Sequence, residues 1–411
     1  MRRLFASVVV AGLLLADGPA VRLAGQTAAP SASPLERLLA LAPDARRQLL
    51  ADQPGLASAA LEDEAIGRAQ QRFAAPDYPA AIAADEVAIA VATALGHTGV
   101  VAQRYRSMGL AMYRLGRARD ALDAYERGLP VAEQAGNPAL VADLLRGIGV
   151  SARAQGDRDR AFEAAQRSRN LYLQLGDRRS AIGMLGNLAV LHLDSGDSAK
   201  NVELLQQSLR EAEAAGFDDM IRSAYENLGV AYMVQGDQSV GLQFLEKALP
   251  LKLAAGEGDR DIAALDINLA IVYGTLGRRE DALAAYADGL LRLRRAGDDR
   301  RLALLLANRG AMLRRDGRYE AALADLTEAL SLYQRLGNQR ESSEAYAEIA
   351  RVRLGQGAPS TAVELASRAL EQARRVRMPI LISQALEPLG EALLAMGRRD
   401  EARSTFSEEI A

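Results

Sequence analysis

Apolar residues recur every three or four positions along most of the chain, as in the stretch DQSVGLQFLEKALPLKLAAG at Asp237–Gly256. This spacing places the apolar side chains on one face of an amphipathic helix. Alternation with a period of two, which is typical of half-buried strands, is absent. The pattern therefore predicts helices and argues against the four-stranded blades of a propeller.

A twelve-residue motif repeats along the chain with a nearly constant period. It reads ENLGVAYMVQGD at Glu226–Asp237 and GNLAVLHLDSGD at Gly186–Asp197, and a worn copy contains Pro76. Steps of 40 or 41 residues separate the glycines near its end, which are Gly116, Gly156, Gly196, Gly236, Gly277, Gly317, Gly357 and Gly397. Nine such units fill residues 57–411. A regular period with helical patterning is typical of a solenoid.

Each unit is predicted to contain a first helix, a glycine-centred turn, a second helix and another turn. The second turn carries its own series of glycines, which are Gly96, Gly136, Gly176, Gly216, Gly256, Gly297 and Gly337. Glycine suits a helix end that needs a left-handed residue. Asp157, Asp197 and Asp237 follow turn glycines and are expected to cap the next helix.

Small residues recur at two places in each unit. On the first helices they are Gly109, Gly149, Ala189, Gly229, Ala270, Gly310, Ala350 and Gly390. Twelve residues further on stand Ala121, Ala161, Ala282, Ala322, Ala362 and Ala402, with Asn201 and Gly241 as departures. This pattern resembles the tetratricopeptide repeat (TPR) in its forty-residue form. The resemblance implies an all-α fold, a right-handed α-solenoid of tandem helix-turn-helix units.

The N-terminus has the order of a secretory signal. Two arginines precede the apolar run Leu4–Ala16, and small residues and a Pro/Ser/Ala-rich segment follow. Residues 1–29 are therefore predicted to be a signal peptide and cleavage region, with cleavage between Ala20 and Ala29. An uncleaved anchor is the alternative. The remaining chain is expected to be periplasmic or extracellular, without stable membrane insertion, and residues 30–56 are expected to form a short helical cap.

Charge and composition restrict the partners. The formal net charge is −3, so the Arg-dense stretch RAQGDRDRAFEAAQRSRN is read as a solvated helix face with interleaved acids, and no nucleic acid is expected as a partner. The chain has no cysteine, which excludes disulfides and thiol chemistry.

The sequence contains no catalytic constellation, so an enzyme, a small-molecule substrate and a cofactor are not expected. None of the three lysines follows a glycine, as a phosphate-binding loop would require. His192 is predicted to be a core residue and His97 an exposed turn residue, and two isolated histidines make a metal site improbable. The acids in LEDEA and SEEIA are expected to face solvent.

The candidate binding residues lie on the first helices, because TPR arrays hold peptides or partner helices in a groove lined by those helices. Four successive units carry an asparagine two residues before the small position, and amides offer a donor and an acceptor to a peptide backbone. The predicted polar positions are Asn187, Asn227, Asn268 and Asn308. The predicted apolar positions are Leu110, Val150, Val190, Val230, Ile271, Tyr113, Leu193 and Met233. Helix capping and helix packing are the competing explanations for these two sets.

Towards the C-terminal units the same faces become polar, with Arg314, Arg315, Arg351 and Glu391. These arginines are expected to meet an acidic segment or a C-terminal carboxylate of a partner.

Three functions are compatible with these features. The first is an exported, non-enzymatic scaffold that binds a protein or peptide in its groove. The second is the N-terminal sensor half of a longer protein, because the last unit stops within its second helix without a cap, and the organisation resembles exported arrays that precede caspase-like CHAT domains. A cytosolic peptide-sensing regulator is the third, but the chain lacks a DNA-binding helix-turn-helix region.

Overall fold

The computed structural model describes residues 32–410, so the predicted signal peptide lies outside the described residues. Every regular element in that range is helical. The helices are α1 (Pro34–Leu39), α2 (Pro43–Asp52), α3 (Ala59–Ala74), α4 (Tyr78–Leu95), α5 (Thr98–Arg114), α6 (Ala118–Gln134), α7 (Pro138–Ala154), α8 (Arg158–Gln174), α9 (Arg178–Asp194), α10 (Ser198–Ala215), α11 (Asp218–Gln235), α12 (Gln238–Ala254), α13 (Asp259–Thr275), α14 (Arg279–Ala296), α15 (Asp299–Arg315), α16 (Tyr319–Arg335), α17 (Gln339–Gly355), α18 (Pro359–Val376), α19 (Pro379–Ala395) and α20 (Arg399–Ile410). The predicted all-α class is confirmed.

The described residues divide into two compact units, unit 1 up to Ala224 and unit 2 from Tyr225. In unit 1, consecutive helices pack as the pairs α3/α4, α5/α6, α7/α8 and α9/α10, and each pair packs on the next. In unit 2 the pairs α13/α14, α15/α16, α17/α18 and α19/α20 do the same. Each unit is therefore an α-solenoid of antiparallel helix pairs, which buries one apolar stripe of every helix.

Short helices precede the first pair in unit 1. Helices α1 and α2 contact α4, and α1 also contacts α3. Leu35 and Leu38 of α1 are fully buried in a cluster with Val87 and Val91 of α4. These helices cover apolar surface of the α3/α4 pair, as a terminal cap of a repeat array must.

The turns between helices have the predicted chemistry. The turn glycines of both series adopt positive φ angles, from 61° to 93°, a left-handed region that an L side chain enters at a cost. Asp157, Asp197 and Asp237 each accept a hydrogen bond from the backbone N–H three residues later, at 3.0–3.3 Å. The predicted helix caps are therefore confirmed.

The small positions bring the two helices of a pair together. Ala121, Ala161, Ala282, Ala322, Ala362 and Ala402 are all fully buried. A methyl group added at Gly310 would lie 2.7 Å from Leu326, and one added at Gly109 would lie 2.7 Å from the ring of Tyr125. Asn201, which departs from the alanine pattern, is buried and donates from Nδ2 to the backbone oxygen of Ala189 at 2.8 Å. This hydrogen bond compensates for placing an amide between two helices.

Helix α4 is long and apolar enough to cross a membrane by length and composition alone. It packs against α3 and α5 and buries Ala84, Val87, Ala88 and Val91 in these contacts. Packed core helices pass the same test, so length and composition do not establish a membrane span.

Candidate functional site

The first helices of successive pairs contact one another within each unit. In unit 1, α5 contacts α7 and α7 contacts α9; in unit 2, α13 contacts α15, α15 contacts α17 and α17 contacts α19. We call the surface formed by the first helices of a unit, including α11 where it carries Asn227, the first-helix face. It contains most of the residues that the sequence predicts for binding.

Three of the four predicted asparagines occupy the same place on first helices of unit 2: Asn227 on α11, Asn268 on α13 and Asn308 on α15. We call them the amide row. Asn227 is exposed, and Asn268 and Asn308 are partly exposed. Among the described residues, none of the three amides makes a hydrogen bond to another protein group. They therefore do not cap or bridge helices there, and their donors and acceptors remain available to a ligand.

The spacing of the amide row suits an extended chain. Packed helices lie 8–10 Å apart, so contact between α13 and α15 places Asn268 and Asn308 roughly 10 Å apart. An extended peptide rises about 3.3 Å per residue. Two neighbouring amides would thus meet backbone groups about three residues apart.

Asn187 stands alone in unit 1. It lies on α9, is half-buried, and its Nδ2 is 3.5 Å from the sulfur of Met184, a weak contact. Ser107 and Gly147 occupy the equivalent positions on α5 and α7. The described part of unit 1 therefore has no amide row.

Most of the side chains at the predicted apolar positions are partly exposed to solvent. Those in unit 1 are partly exposed and comprise Leu110, Tyr113, Val150, Val190 and Leu193. Val230 and Ile271 of unit 2 are also partly exposed, and Ile271 packs along the edge of the core. Their role in peptide binding stays a prediction.

Met233 does not belong to this surface, and its placement in the groove was wrong. It is 6% exposed and clusters with Leu242 and Leu245 of α12. The cause is the missing side chain at Gly241, where an added methyl group would lie 3.0 Å from Cγ of Met233. The Met233 side chain lies against the space that alanine occupies in other units.

The predicted arginines are paired with glutamates inside unit 2. Arg314 Nε donates to Glu348 at 2.9 Å, and Arg351 Nη1 donates to the other oxygen of Glu348 at 2.7 Å. Arg351 Nη2 also donates to Glu387 at 2.8 Å and to the backbone oxygen of Gln384 at 3.0 Å. This pairing removes the basis for predicting an acidic partner at these residues. Arg315 is exposed and donates to the backbone oxygen of Ala311.

Arg351 keeps its charge in this network. Burial lowers its pKa, but Glu348 and Glu387 together raise the pKa above the usual arginine value. The sequence offered one signal for this arrangement, because Glu348 occupies the position where earlier units carry the asparagines. The partner Glu387 could not be found from sequence spacing.

A cavity of about 360 Å³ lies beside this network. Three first helices and the start of α16 contribute its lining, which is Arg314, Tyr319, Arg351, Leu354, Gly355, Glu387 and Glu391. Sequence reasoning had selected the arginines and Glu391 but missed Tyr319 and Glu387.

The histidines differ in part from the expectation. His192 is not a core residue: its side chain is 27% exposed, its Nδ1 lies 3.5 Å from Asp197, and its ring meets Phe162 edge-on. His97 lies in a turn with a half-exposed side chain, as predicted, and its Nδ1 is 2.9 Å from Glu62. Glu62, an acid of the LEDEA stretch expected in solvent, is buried. No cluster of three metal-binding side chains occurs in residues 32–410.

Two buried acids carry raised pKa values. Burial raises the pKa of Asp85 to about 6, although Arg104, 3.3 Å away, opposes the shift. Burial likewise raises the pKa of Asp266 to about 6 against the opposing effect of Arg292. Asp85 and Arg104 join neighbouring helix pairs, whereas Asp266 and Arg292 lie on the two helices of one pair, and neither ion pair lies beside the cavities described.

The fold and this surface define a class: helix-pair solenoids that present repeated polar positions on their first helices. Residues 301–375 match the family model described as tetratricopeptide repeat. Within that range the chain matches tetratricopeptide repeats, and the helix pairs outside it have the same fold. No curated protein matches it.

Solved structures with the same fold share little sequence with this chain. A signal transduction ATPase with numerous domains from Pyrococcus horikoshii, which has a tetratricopeptide repeat sensor, has a TM-score of 0.65 and 14% identity; the match covers 86% of this chain and 53% of that one. The apo form of RapI has a TM-score of 0.54 and 14% identity, and the match covers 67% of this chain and 98% of that one. A Rap protein complexed with competence and sporulation factor has a TM-score of 0.53 and 14% identity, and the match covers 79% of this chain and 99% of that one.

Proposed function

We propose that this chain is a non-enzymatic scaffold that binds a protein or peptide on the first-helix face of unit 2. The observation that carries the proposal is the amide row, because three repeated amides reach solvent without a protein partner among the described residues. Polar side chains held on a rigid helical array are ready to bind without further ordering, which lowers the entropic cost of binding. The Rap protein complexed with competence and sporulation factor has a similar fold. This likeness supports a binding function in general and does not indicate the ligand of this chain.

The amide row would hold a peptide through its backbone. Each amide can donate one hydrogen bond to a peptide carbonyl and accept one from a peptide N–H. Such contacts fix the direction and register of an extended segment without reading its side chains. Side-chain preference would then come from neighbouring surfaces, including the partly exposed Val230 and Ile271.

The variant Asn268→Ala/Asn308→Ala tests this proposal. A peptide would first be selected with the full chain from a phage library of random nonapeptides. Two amides, each with net hydrogen-bond contributions of about 0.5–1.5 kcal/mol, predict a roughly tenfold or greater loss of affinity in the double variant. Fluorescence anisotropy with the labelled peptide measures this loss.

Asn170→Ala is the matched control, since Asn170 is exposed on the second helix α8 of unit 1. Urea unfolding should show an unchanged midpoint for both variants, because the altered amides make no described protein contact. Unchanged affinity in the double variant, or a library that yields no binding peptide, would contradict the proposal.

We also propose that the protein is exported and loses residues 1–29. The support is the charged, apolar and small-residue order of the N-terminus. Expression of the full chain in a bacterium should give a mature protein whose N-terminus lies between residues 21 and 30, as measured by intact mass and N-terminal sequencing. The control variant is Val9→Arg. It places a charge in the apolar run and should block processing. A purified protein that still begins at Met1 would argue for an uncleaved anchor.

A further inference from the structure

The cavity beside Arg351 has an excess of negative charge. Its two arginines meet Glu348 and Glu387 in direct ion pairs at 2.7–2.9 Å. Glu391, one helical turn beyond Glu387 on α19, is exposed and forms no ion pair with any described residue. The lining holds two arginines and two glutamates, and Glu348, outside the lining, pairs with both arginines, so the Glu391 carboxylate is left unpaired at the cavity. The charge left unmatched is negative, so a partner group that matches it carries a positive charge.

An aromatic ring also lines this cavity, and a departure from the repeat at Gly355 makes room for it. Tyr319 opens α16 as Tyr78 opens α4, whereas the other units carry Ala118, Arg158, Ser198, Gln238, Arg279, Pro359 or Arg399 at this position. Gly355 ends α17, and a methyl group added to it would lie 2.4–2.7 Å from the Tyr319 ring and hydroxyl. The absence of a side chain at Gly355 thus makes room for the ring of Tyr319. A tyrosine and a glycine 36 residues apart in sequence are complementary in shape.

We propose that this cavity binds a basic side chain, arginine or lysine, of the protein or peptide that occupies the first-helix face. A cation over an aromatic ring is attracted by its negative face, and guanidinium groups do this most often. The free carboxylate of Glu391 in the same lining can accept charge-assisted hydrogen bonds from that group. Tyr319 supplies the ring, Glu391 the unpaired carboxylate, and Leu354 an apolar contact for the methylene stem.

The position of the cavity relative to the amide row agrees with this role, and this step rests on the proposed function. Arg314 lies six residues after Asn308 on α15, a rise of about 9 Å along the helix. A backbone held at Asn308 would therefore pass roughly one long side chain's length from the cavity. The amide row would hold the backbone, and the cavity would select the side chain.

The first experiment uses small probes that do not depend on the amide row. Saturation-transfer NMR would titrate the full chain with N-acetylarginine amide, N-acetylglutamine amide and N-acetylglutamate amide. The arginine probe should bind, with weaker binding at higher salt, and the other two should not. The variants Glu391→Gln and Tyr319→Leu should each weaken the arginine probe about three- to fivefold.

Glu364→Gln is the matched control, because Glu364 is an exposed glutamate on α18 outside the cavity. It should leave binding of the arginine probe unchanged. Equal binding by wild type and Glu391→Gln, or a preference for the glutamate probe, would overturn the proposal.

A second experiment separates this proposal from the proposed function. Wild type should select nonapeptides with a basic residue at one fixed position, and Glu391→Gln should still select peptides but lose that preference. Selected peptides without a basic preference would overturn the cavity proposal while the amide row stands. If no peptide is selected, the proposed function fails, and binding of N-acetylarginine amide still decides the cavity proposal.

Discussion

Replacing Arg104 with methionine should lower the free energy of unfolding of unit 1 by about 3–5 kcal/mol at pH 8. Arg104 on α5 and Asp85 on α4 are 7% and 1% exposed and form an ion pair at 3.3 Å. The methionine fills a similar volume but leaves the Asp85 carboxylate buried without its counter-charge. Urea unfolding followed by circular dichroism measures the loss.

The loss should depend on pH in a defined direction. Burial already raises the pKa of Asp85 to about 6, so its contribution to stability is present below the unfolded pKa near 4 and is lost as the pH rises through 6. Without Arg104, which opposes that shift, the pKa of Asp85 rises further. The Arg104→Met variant should therefore be closer to wild type at pH 5 than at pH 8.

Two further variants serve as controls for this prediction. Arg119→Met removes an exposed arginine from α6 and should change stability little. Asp85→Leu combined with Arg104→Met should recover much of the lost stability, because an apolar pair of similar volume carries no desolvation cost. A double variant as unstable as Arg104→Met alone would show that packing, and not the unpaired charge, causes the loss.

Replacing Gly241 with alanine should destabilise unit 2 by about 1–3 kcal/mol. The repeat pattern suggests the opposite, because alanine occupies this place in six other units and favours a helix over glycine by up to about 1 kcal/mol. The added methyl group, however, would lie 2.8 Å from the backbone oxygen of Gly229 and 3.0 Å from Met233. Backbone cannot move aside as a flexible side chain does, so overpacking should exceed the gain in helix propensity.

Gly183→Ala gives the matched control with the opposite sign. Gly183 is an exposed mid-helix glycine of α9, and an added methyl group meets nothing within 4 Å. This variant should gain up to about 1 kcal/mol in urea unfolding. A stabilised Gly241→Ala protein would mean that the α11/α12 pair relaxes to accept the methyl group.

The repeat pattern predicted the helices and turns because both depend on local interactions. Apolar spacing determines which face of each helix is buried, and a left-handed turn favours glycine for steric reasons that involve only adjacent atoms. The same locality explains why Asp157, Asp197 and Asp237 were correctly predicted as helix caps. The amide row was also visible in the sequence, although its freedom from protein contacts was not.

The placements that sequence reasoning missed all depend on contacts between helices. Met233 is buried because a residue of the next helix lacks a side chain, and Glu62 is buried and contacts His97, which lies 35 residues away in sequence. The period alone cannot show whether a charged residue faces solvent or a partner two helices away.

The sequence by itself therefore determined the α-solenoid class, the positions of its turns and the positions on each first helix that repeat. Only the tertiary structure decided which of those positions remain available for binding. Arg314 and Arg351 are occupied by Glu348 and Glu387, whereas Glu391 and the amide row are not occupied by described residues. The physical reason is that charge pairing and close packing depend on distances between side chains on different helices, and these distances are set when the helix pairs stack.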